Sequence, residues 1–165
     1  MTEVLICGDV VLERFEGDRP VLHDNAAILI RDGVVTDIGP AADMAARHTE
    51  ADRHGGPGHV VIPGLVNGHH HVGLTPFQLG APDMPLELWF AARLGLRAVS
   101  PRLDTLYSAF EMLASGVTCV QHLHSRAPGG LEGLEHASAE ILRAYDDIGM
   151  RVSFSMALRD QNRLV

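Results

Sequence analysis

The sequence of 165 residues contains no lysine, only two cysteines and few aromatic residues. All 13 basic residues are arginines, against 21 acidic residues, so the net charge is −8. Nucleic-acid binding needs a concentrated basic face, which is absent, and we therefore expect no nucleic-acid partner. No apolar run approaches the ~20 residues of a membrane helix, and no basic segment precedes the first apolar run, so neither a membrane span nor a signal peptide is expected. We attribute the lack of lysine to genomic composition.

The two cysteines, Cys7 and Cys119, each lie within an apolar, strand-like run. Two reduced, buried thiols are the favoured interpretation, over a disulfide or a metal-binding pair, and they are typical of a cytoplasmic protein. An apolar content of 46% and a charged content of 21% are those of a soluble globular chain. The length suffices for one domain or one and a half.

The first part of the chain has the pattern of β-hairpins. Strands are predicted over residues 4–12 and 27–39, with Asp32-Gly33 as a tight turn within the second stretch. A small alanine-rich helix is predicted over Ala41–Arg47. The tract Arg53–Gly58 is rich in turn residues and has no periodicity, so it is interpreted as a connector.

The pattern changes near residue 60, where we place the one domain boundary, between residues 1–59 and 60–165. The second part predicts, in order, a buried strand over 59–66, helices over 86–98 and 100–114, a strand over 117–123, a helix over 131–148 and a strand over 151–158. Such an alternation of strands and helices predicts parallel strands joined by right-handed crossovers.

Three consecutive histidines follow the apolar run and its proline-glycine break. Side chains alternate along a strand, so His69 and His71 project the same way while His70 points away. Two neighbouring imidazoles at a strand's end can share one divalent ion, because neutral imidazole nitrogen suits zinc, iron or copper. The alternatives are a polar strand end with incidental histidines, or a purification tag, although a tag is a longer run at a terminus.

The stretch from Val61 to His71 resembles the PGLVN-x-H-x-H signature of the amidohydrolase superfamily. Its triple histidine resembles most the branch of aminohydrolases that act on nitrogen heterocycles, the cytosine, guanine, adenosine and triazine deaminases and chlorohydrolases. Residues 25–39 resemble the family's N-terminal segment, and residues 112–120 match its M-L-x-S-G-V-T-x-V segment. The resemblance implies an α/β fold, with a small β-sandwich segment over 1–59 and the first three βα units of a (β/α)8 TIM-type barrel over 60–165.

The same resemblance implies that His69 and His71 bind a catalytic divalent metal, zinc or iron, together with later ligands beyond Val165. Asn67, just before the histidines, would orient a ligand by hydrogen bonding. In an α/β barrel the active site forms at the C-terminal ends of the strands. The family's general acid–base is not identifiable in this sequence.

A second pair of histidines, His122 and His124, ends the next predicted strand with the same spacing. Both pairs are expected to face the same mouth, so these two are interpreted as substrate-pocket groups or as groups supporting the metal ligands. The alternative is that they only satisfy buried hydrogen bonds. Gln78 is a further candidate for the lining of a pocket for a planar heterocycle.

The activity that the resemblance implies is deamination of a nitrogen heterocycle by a metal-activated water. The alternatives are a cyclic amide or C–Cl hydrolase of the same superfamily, or a non-catalytic truncated module. A complete barrel takes about 250 residues, so the chain would cover only the N-terminal part of such an enzyme and be inactive alone. The expected partners are a small heterocyclic substrate and either further copies of the chain or a complementary C-terminal barrel part; no membrane partner is expected.

Overall fold

The structure, a computed structural model, describes residues 2–72, 83–95, 99–124 and 129–156. The chain forms two compact units, Met1–Pro63 and Gly64–Val165, so the division falls a few residues after the boundary predicted at residue 60. Both contain strands and helices, and the predicted mixed α/β class is confirmed. The fold of each unit is described separately below.

The first unit is built on a four-stranded sheet. Its strands are β1 (Glu3–Glu16), β2 (Arg19–Arg31), β3 (Val34–Pro40) and β4 (Asp52–Val61), in the order β3-β2-β1-β4. Strands β1, β2 and β3 pair antiparallel, whereas β4 runs parallel to β1. Helix α1 (Ala41–Arg47) has the predicted bounds, and its Met44 packs into the core with Leu5 and Leu29.

Two tight turns connect the antiparallel strands. At Asp32-Gly33 both φ angles are positive, 48° and 82°, as a two-residue hairpin with the right-handed strand twist requires. The predicted hairpin is confirmed. The other turn, at Gly17, extends β1 and β2 well beyond the predicted strand over 4–12. Its flanking residues are charged and exposed, so they lack the apolar alternation by which sequence reasoning recognises a strand.

The tract predicted as a connector, Arg53–Gly58, forms most of strand β4 instead. Gly55 has a φ of +75°, and a Cβ at this position would collide with the backbone oxygen of Cys7 on β1. Glycine therefore allows the close approach of β4 to β1 that parallel pairing needs. Because β4 lies at the sheet edge and is largely exposed, it shows no apolar periodicity.

The prediction of one buried strand over residues 59–66 was wrong, because no single strand spans this range. Its apolar residues are divided between β4, which ends at Val61, and β5 (Leu65–His70), which belongs to the sheet of the second unit. The physical reason is Pro63-Gly64, since proline has no N–H to donate to a strand ladder. The apolar run thus serves two sheets.

The second unit contains a three-stranded parallel sheet. Its elements are β5, then α2 (Leu86–Leu94), α3 (Pro101–Ala114), β6 (Val117–His124), α4 (Gly130–Asp147) and β7 (Arg151–Met156). The strand order is β5-β6-β7 and both pairings are parallel, as the alternation of strands and helices predicts. The parts of the predicted elements beyond Met156 and over 96–98 lie outside the described residues.

Helix α3 begins and ends where the sequence predicts. The Ser100 side chain accepts a hydrogen bond from the backbone N–H of Leu103, at 3.2 Å, and Pro101 occupies the first helical position. Both are preferred at a helix N-terminus, because one satisfies an orphan N–H and the other has none to satisfy. Gly116, with a φ of +85°, follows the C-terminus and leads directly into β6.

Helices α3 and α4 pack on one face of the parallel sheet. The core there consists of Ala109, Met112, Val120, Ile141, Tyr145 and Met150. Alternate residues of β6 point into this core, so Val120, His122 and His124 are buried. Cys119, Gln121 and Leu123 therefore project from the opposite face.

Strand β5 contains a bulge relative to β6. Asn67 lies opposite Val120 and His70 lies opposite His122, so three steps along β5 match two along β6. Both Asn67 and His70 consequently lie on the helix-covered face, although they differ by an odd number of residues.

Cys7 and Cys119 are free thiols, partly rather than fully buried as the sequence had suggested. Within the described part of the chain, no helix is long and apolar enough to cross a membrane.

Candidate metal site

His69 and His71 converge at the C-terminal end of β5. Their Nε2 atoms lie 3.0 Å apart, and the two rings meet edge to face with centroids separated by 4.8 Å. His70, between them, is half-buried and lies opposite His122 on the helix-covered face. Strand alternation had predicted this arrangement of the three side chains; that the pair binds a metal stays a prediction.

The ring of His71 is fixed by the neighbouring strand. Its Nδ1 lies 3.2 Å from the backbone oxygen of Leu123 on β6. A carbonyl oxygen can only accept, so Nδ1 must carry the proton of this hydrogen bond. In the neutral imidazole Nε2 then has a free lone pair, and that lone pair is on the nitrogen nearest His69.

Asn67 supports the other member of the pair through the backbone. Its Oδ1 accepts a hydrogen bond from the N–H of His69 at 3.2 Å, the side-chain-to-backbone turn over two residues that asparagine favours. Its Nδ2 lies 3.7 Å from the sulfur of Met112 on α3. Asn67 therefore fixes the backbone at the bulge that brings His69 onto the exposed face; that it orients a metal ligand stays a prediction.

The residues of the pair fit a metal ion as two of its ligands. Nitrogen atoms bound to one tetrahedral zinc lie about 3.3 Å apart, close to the separation seen here. With Nε2 of His71 unprotonated, the 3.0 Å contact is a hydrogen bond donated by Nε2–H of His69, and a metal ion held by both atoms would take the place of that proton. No group of three or more His, Cys, Asp or Glu among the described residues is arranged to hold a metal, so the two histidines are a partial ligand set.

His122 does not share the face of this pair, and the expectation of a common mouth was wrong. Its side chain is fully buried under α4, with Nδ1 at 3.0 Å from the hydroxyl oxygen of Tyr145 and its ring against Phe154. The physical reason is the bulge, which places the register of β6 so that His122 accompanies His70 rather than His71. The alternative interpretation, a buried hydrogen bond, describes His122 better.

Burial governs the ionisation of this buried group. It lowers the pKa of His122 to about 3, with further lowering by the charges of His124 and His70. Burial likewise lowers the pKa of His70 and raises the pKa of Tyr145. His122 is therefore neutral at physiological pH, and among the described residues its Nε2 has no hydrogen-bond partner.

The other two sequence candidates also lie away from the pair or outside the structure. His124 is 8% exposed, and its ring stacks on Phe154 at a centroid distance of 6.2 Å on the helix-covered face. A pocket position on the face of His69 is therefore excluded for it too. Gln78 lies outside the described residues.

Sequence reasoning missed two polar residues on the face that carries His69 and His71. Gln121 on β6 donates from Nε2 to Oγ of Ser155 on β7, at 2.8 Å. Both residues are partly buried. Strand alternation, counted from the apolar Val120, is the signal that could have placed Gln121 on this face.

Several known proteins are similar to this chain. Residues 26–51 match the bacterial imidazolonepropionase-like composite domain. A 5-methylthioadenosine/S-adenosylhomocysteine deaminase of Syntrophobacter fumaroxidans is 33% identical over 144 residues, which is 83% of this chain and 30% of that enzyme.

Two solved structures share the fold. Guanine deaminase from Bradyrhizobium japonicum matches 93% of this chain and 35% of its own with a TM-score of 0.69 and 21% identity. The alignment with atrazine chlorohydrolase from Arthrobacter aurescens, complexed with zinc, covers 93% of this chain and 35% of that enzyme. Its TM-score is 0.70 and the sequence identity is 21%. The chain spans about a third of the length of these relatives.

Proposed function

Since the chain belongs to the amidohydrolase superfamily, we propose that it forms the N-terminal part of a metal-dependent hydrolase that deaminates a nitrogen heterocycle. The observation that carries the proposal is the pair of Nε2 atoms, 3.0 Å apart, at the end of the parallel strand β5. Active sites of α/β barrels form at this end of the strands. The deaminase relatives support the choice of reaction.

The second unit would then be the first three βα units of a (β/α)8 barrel, and the first unit part of the accompanying β-sandwich. The parallel order β5-β6-β7 and the helices packed on a single face support this assignment. In it the uncovered face, which carries His69, His71 and Gln121, would be the inner face of the barrel. The further metal ligands and the general acid–base would come from the strands that complete the barrel.

His69 and His71 would hold a divalent ion, zinc or iron, through their Nε2 atoms. Such an ion lowers the pKa of water from 15.7 to about 7 and so supplies hydroxide at neutral pH. The Leu123 carbonyl holds the proton of His71 on Nδ1, which keeps the Nε2 lone pair available. Asn67 fixes the backbone from which the His69 side chain projects.

The overall reaction replaces an exocyclic amine by oxygen. Water adds to the ring carbon that bears the amine, a proton passes to the leaving nitrogen, and ammonia departs while the carbonyl forms. One molecule of water is consumed for each ammonia released. An aminated purine or pyrimidine, or a pterin, is the class of substrate that this chemistry requires.

The test measures ammonia release by the complete enzyme of which this chain is proposed to be the N-terminal part. The enzyme is either loaded with zinc or treated with a chelator. The panel contains aminated purines, pyrimidines and a pterin, together with cyclic amides and a chlorinated triazine. We expect turnover of an aminated heterocycle, loss of turnover with the chelator, and loss in His69→Ala and His71→Ala. His136→Ala on the exposed face of α4 is the matched control and should keep full activity.

The outcomes separate the proposal from its competitors. Turnover of cyclic amides or of the chlorinated ring alone would replace deamination by the corresponding hydrolysis. If no compound is hydrolysed and zinc binding does not depend on His69 and His71, the chain is a non-catalytic module and the proposal is rejected.

A further inference from the structure

Gln121 and Ser155 form a polar pair that no step of the proposed reaction uses. The Gln121 amide donates from Nε2 to the hydroxyl oxygen of Ser155 at 2.8 Å, across the two strands β6 and β7. Their backbones are not directly opposite, because Leu123 lies opposite Ser155 and Gln121 lies opposite Ser153. The Gln121 side chain therefore reaches along the strand direction, towards the C-terminal end of the sheet.

Both side chains project from the face that helices α3 and α4 leave uncovered. On β6 the buried residues are Val120 and His122, so Gln121 between them points the other way. On β7 the residue that packs into the helix-covered core is Phe154, so Ser155 points away from that core. The hydrogen bond between Gln121 and Ser155 agrees with this placement.

The pair keeps hydrogen-bonding capacity for a ligand. With Nε2 donating to Ser155, the Oε1 atom of Gln121 is left as an acceptor and the Ser155 hydroxyl proton is left as a donor. Turning the amide over exchanges the two functions, and at least one donor and one acceptor are left in either orientation. No other hydrogen bond of either side chain occurs within the described residues.

The pair lies level with the candidate metal ligands. His71 is joined to Leu123 by the 3.2 Å hydrogen bond, and Leu123 lies directly opposite Ser155. Two strand spacings separate β5 from β7, so His71 and Ser155 are about 10 Å apart across the sheet. A planar ring whose reacting carbon lies at His69 and His71 would extend along the sheet towards Gln121 and Ser155.

We propose that Gln121 and Ser155 are specificity-determining residues that bind the substrate ring on its edge away from the exocyclic amine. They would recognise an edge that presents a hydrogen-bond donor beside an acceptor, such as a ring N–H next to a carbonyl or a second ring nitrogen. The inference rests on the proposed function for the position of the reacting carbon. It adds the chemical class of substrate edge that the site selects.

The experiment uses the intact protein and pairs of compounds that differ at one atom of that edge. Each pair is an aminated heterocycle and its deaza analogue, in which C–H replaces the ring nitrogen. Both kcat/KM for ammonia release and the Kd of the unreactive deaminated product, by titration calorimetry, are measured. Wild type should prefer the parent compound about 10- to 100-fold, since the analogue leaves a buried polar group unpaired.

The variants are Gln121→Met, which keeps length without polarity, and Ser155→Ala. Each should raise KM and product Kd for the parent about 10-fold or more, leave kcat within a few-fold, and remove the preference over the deaza analogue. The loss of binding free energy in the double variant should be smaller than the sum of the losses in the two single variants, because the two side chains act as one unit. Ser153→Ala, an exposed serine on the same face of β7, is the matched control and should keep the preference.

The outcomes distinguish this inference from the proposed function. If the protein deaminates heterocycles but both variants keep the wild-type preference, the inference is overturned and the proposed function stands. If no heterocycle is deaminated, yet the Kd for the deaminated ring depends on Gln121 and Ser155, the subsite is upheld and the proposed reaction is rejected. A uniform fall in kcat without a change in preference also overturns the inference, because it indicates a structural effect only.

Discussion

The imidazole of His71 and the backbone oxygen of Leu123 are joined by a hydrogen bond of 3.2 Å, between residues 52 positions apart in the sequence. The bond links the C-terminal ends of two parallel strands. It sets the tautomer of His71 with a main-chain group, which no side-chain substitution at position 123 removes. A candidate metal ligand is thereby oriented by the sheet itself.

The first prediction concerns this tautomer. In nitrogen-15 spectra of the metal-free protein at neutral pH, the proton of neutral His71 should be on Nδ1 and Nε2 should be unprotonated. Addition of zinc should change the Nε2 shift of His71 and leave that of the exposed His136 unchanged. A neutral His71 that carries its proton on Nε2 would contradict the orientation described here.

The second prediction concerns Asn67. Replacing it by leucine removes the acceptor for the His69 N–H while keeping the size of the side chain, so zinc affinity should fall about 10- to 100-fold. Asn67→Asp retains an oxygen in the same place and should keep most of the affinity. Competition with a chromogenic chelator measures both. Equal affinities of the leucine variant and wild type would show that Asn67 does not orient the pair.

The third prediction concerns Gly64, which follows the proline between the two sheets. A Cβ at this position would collide with the side chain of Thr118 on β6, so Gly64→Ala should lower the free energy of unfolding by about 1–3 kcal/mol. Gly68→Ala, four residues further along and within β5, is the control, because a Cβ there meets no described atom within 4 Å. Adding Thr118→Gly to Gly64→Ala should restore part of the loss. Denaturant unfolding followed by circular dichroism decides, and equal losses at Gly64 and Gly68 would refute the steric argument.

The fourth prediction concerns the buried hydrogen bond between Tyr145 and His122. Tyr145→Phe leaves Nδ1 of His122 buried without its 3.0 Å partner, which should cost about 1–3 kcal/mol of unfolding free energy. Tyr107→Phe on α3 is the matched control, since Tyr107 is 41% exposed and can exchange a lost hydrogen bond for water. If both substitutions have the same small effect, the bond contributes nothing to stability.

The fifth prediction concerns pH. The pKa of His122 in the folded protein, about 3, is below its ordinary value of 6.5, so between these values the unfolded chain binds a proton that the folded chain does not. Stability due to this group is therefore fully present above pH 6.5 and falls as the pH decreases towards 3, by up to about 1.4 kcal/mol per pH unit. His122→Asn, which retains a polar atom near Nδ1, should show a smaller loss of stability between pH 6.5 and 4.5. Identical slopes for the variant and wild type would contradict a neutral buried His122.

The sequence predicted well those elements whose signals are local. Ser100 and Pro101 at the start of α3, Gly116 after its end, and Asp32-Gly33 in the hairpin each act through their own backbone conformation or a hydrogen bond a few residues away. Such preferences do not depend on the rest of the chain, so the bounds of α1 and α3 followed from pattern alone.

The failures have a common cause in long-range pairing. Strand β4 is stabilised by its contact with β1, almost fifty residues away, and its glycines serve that contact rather than a turn. Whether His122 shares a face with His69 and His71 depends on how β6 is aligned with β5. The bulge in β5 that sets this alignment cannot be recognised from the sequence of β6. For the same reason the sequence does not single out Gln121, because its hydrogen-bond partner Ser155 lies on the neighbouring strand β7.

The extra residue in β5 allows one strand to pack against the helices and to present the two histidines on the opposite face. In a regular strand Asn67, His69 and His71 would lie on one face. The residue that packs against the helices would then fix the face of both histidines. The bulge shifts the alternation between Asn67 and His70, so both of these residues lie on the helix-covered face while His69 and His71 lie on the opposite face. Packing and chemistry can then change independently in this strand, and deleting Gly68 would remove the bulge while leaving His69 and His71 on the face opposite the helices.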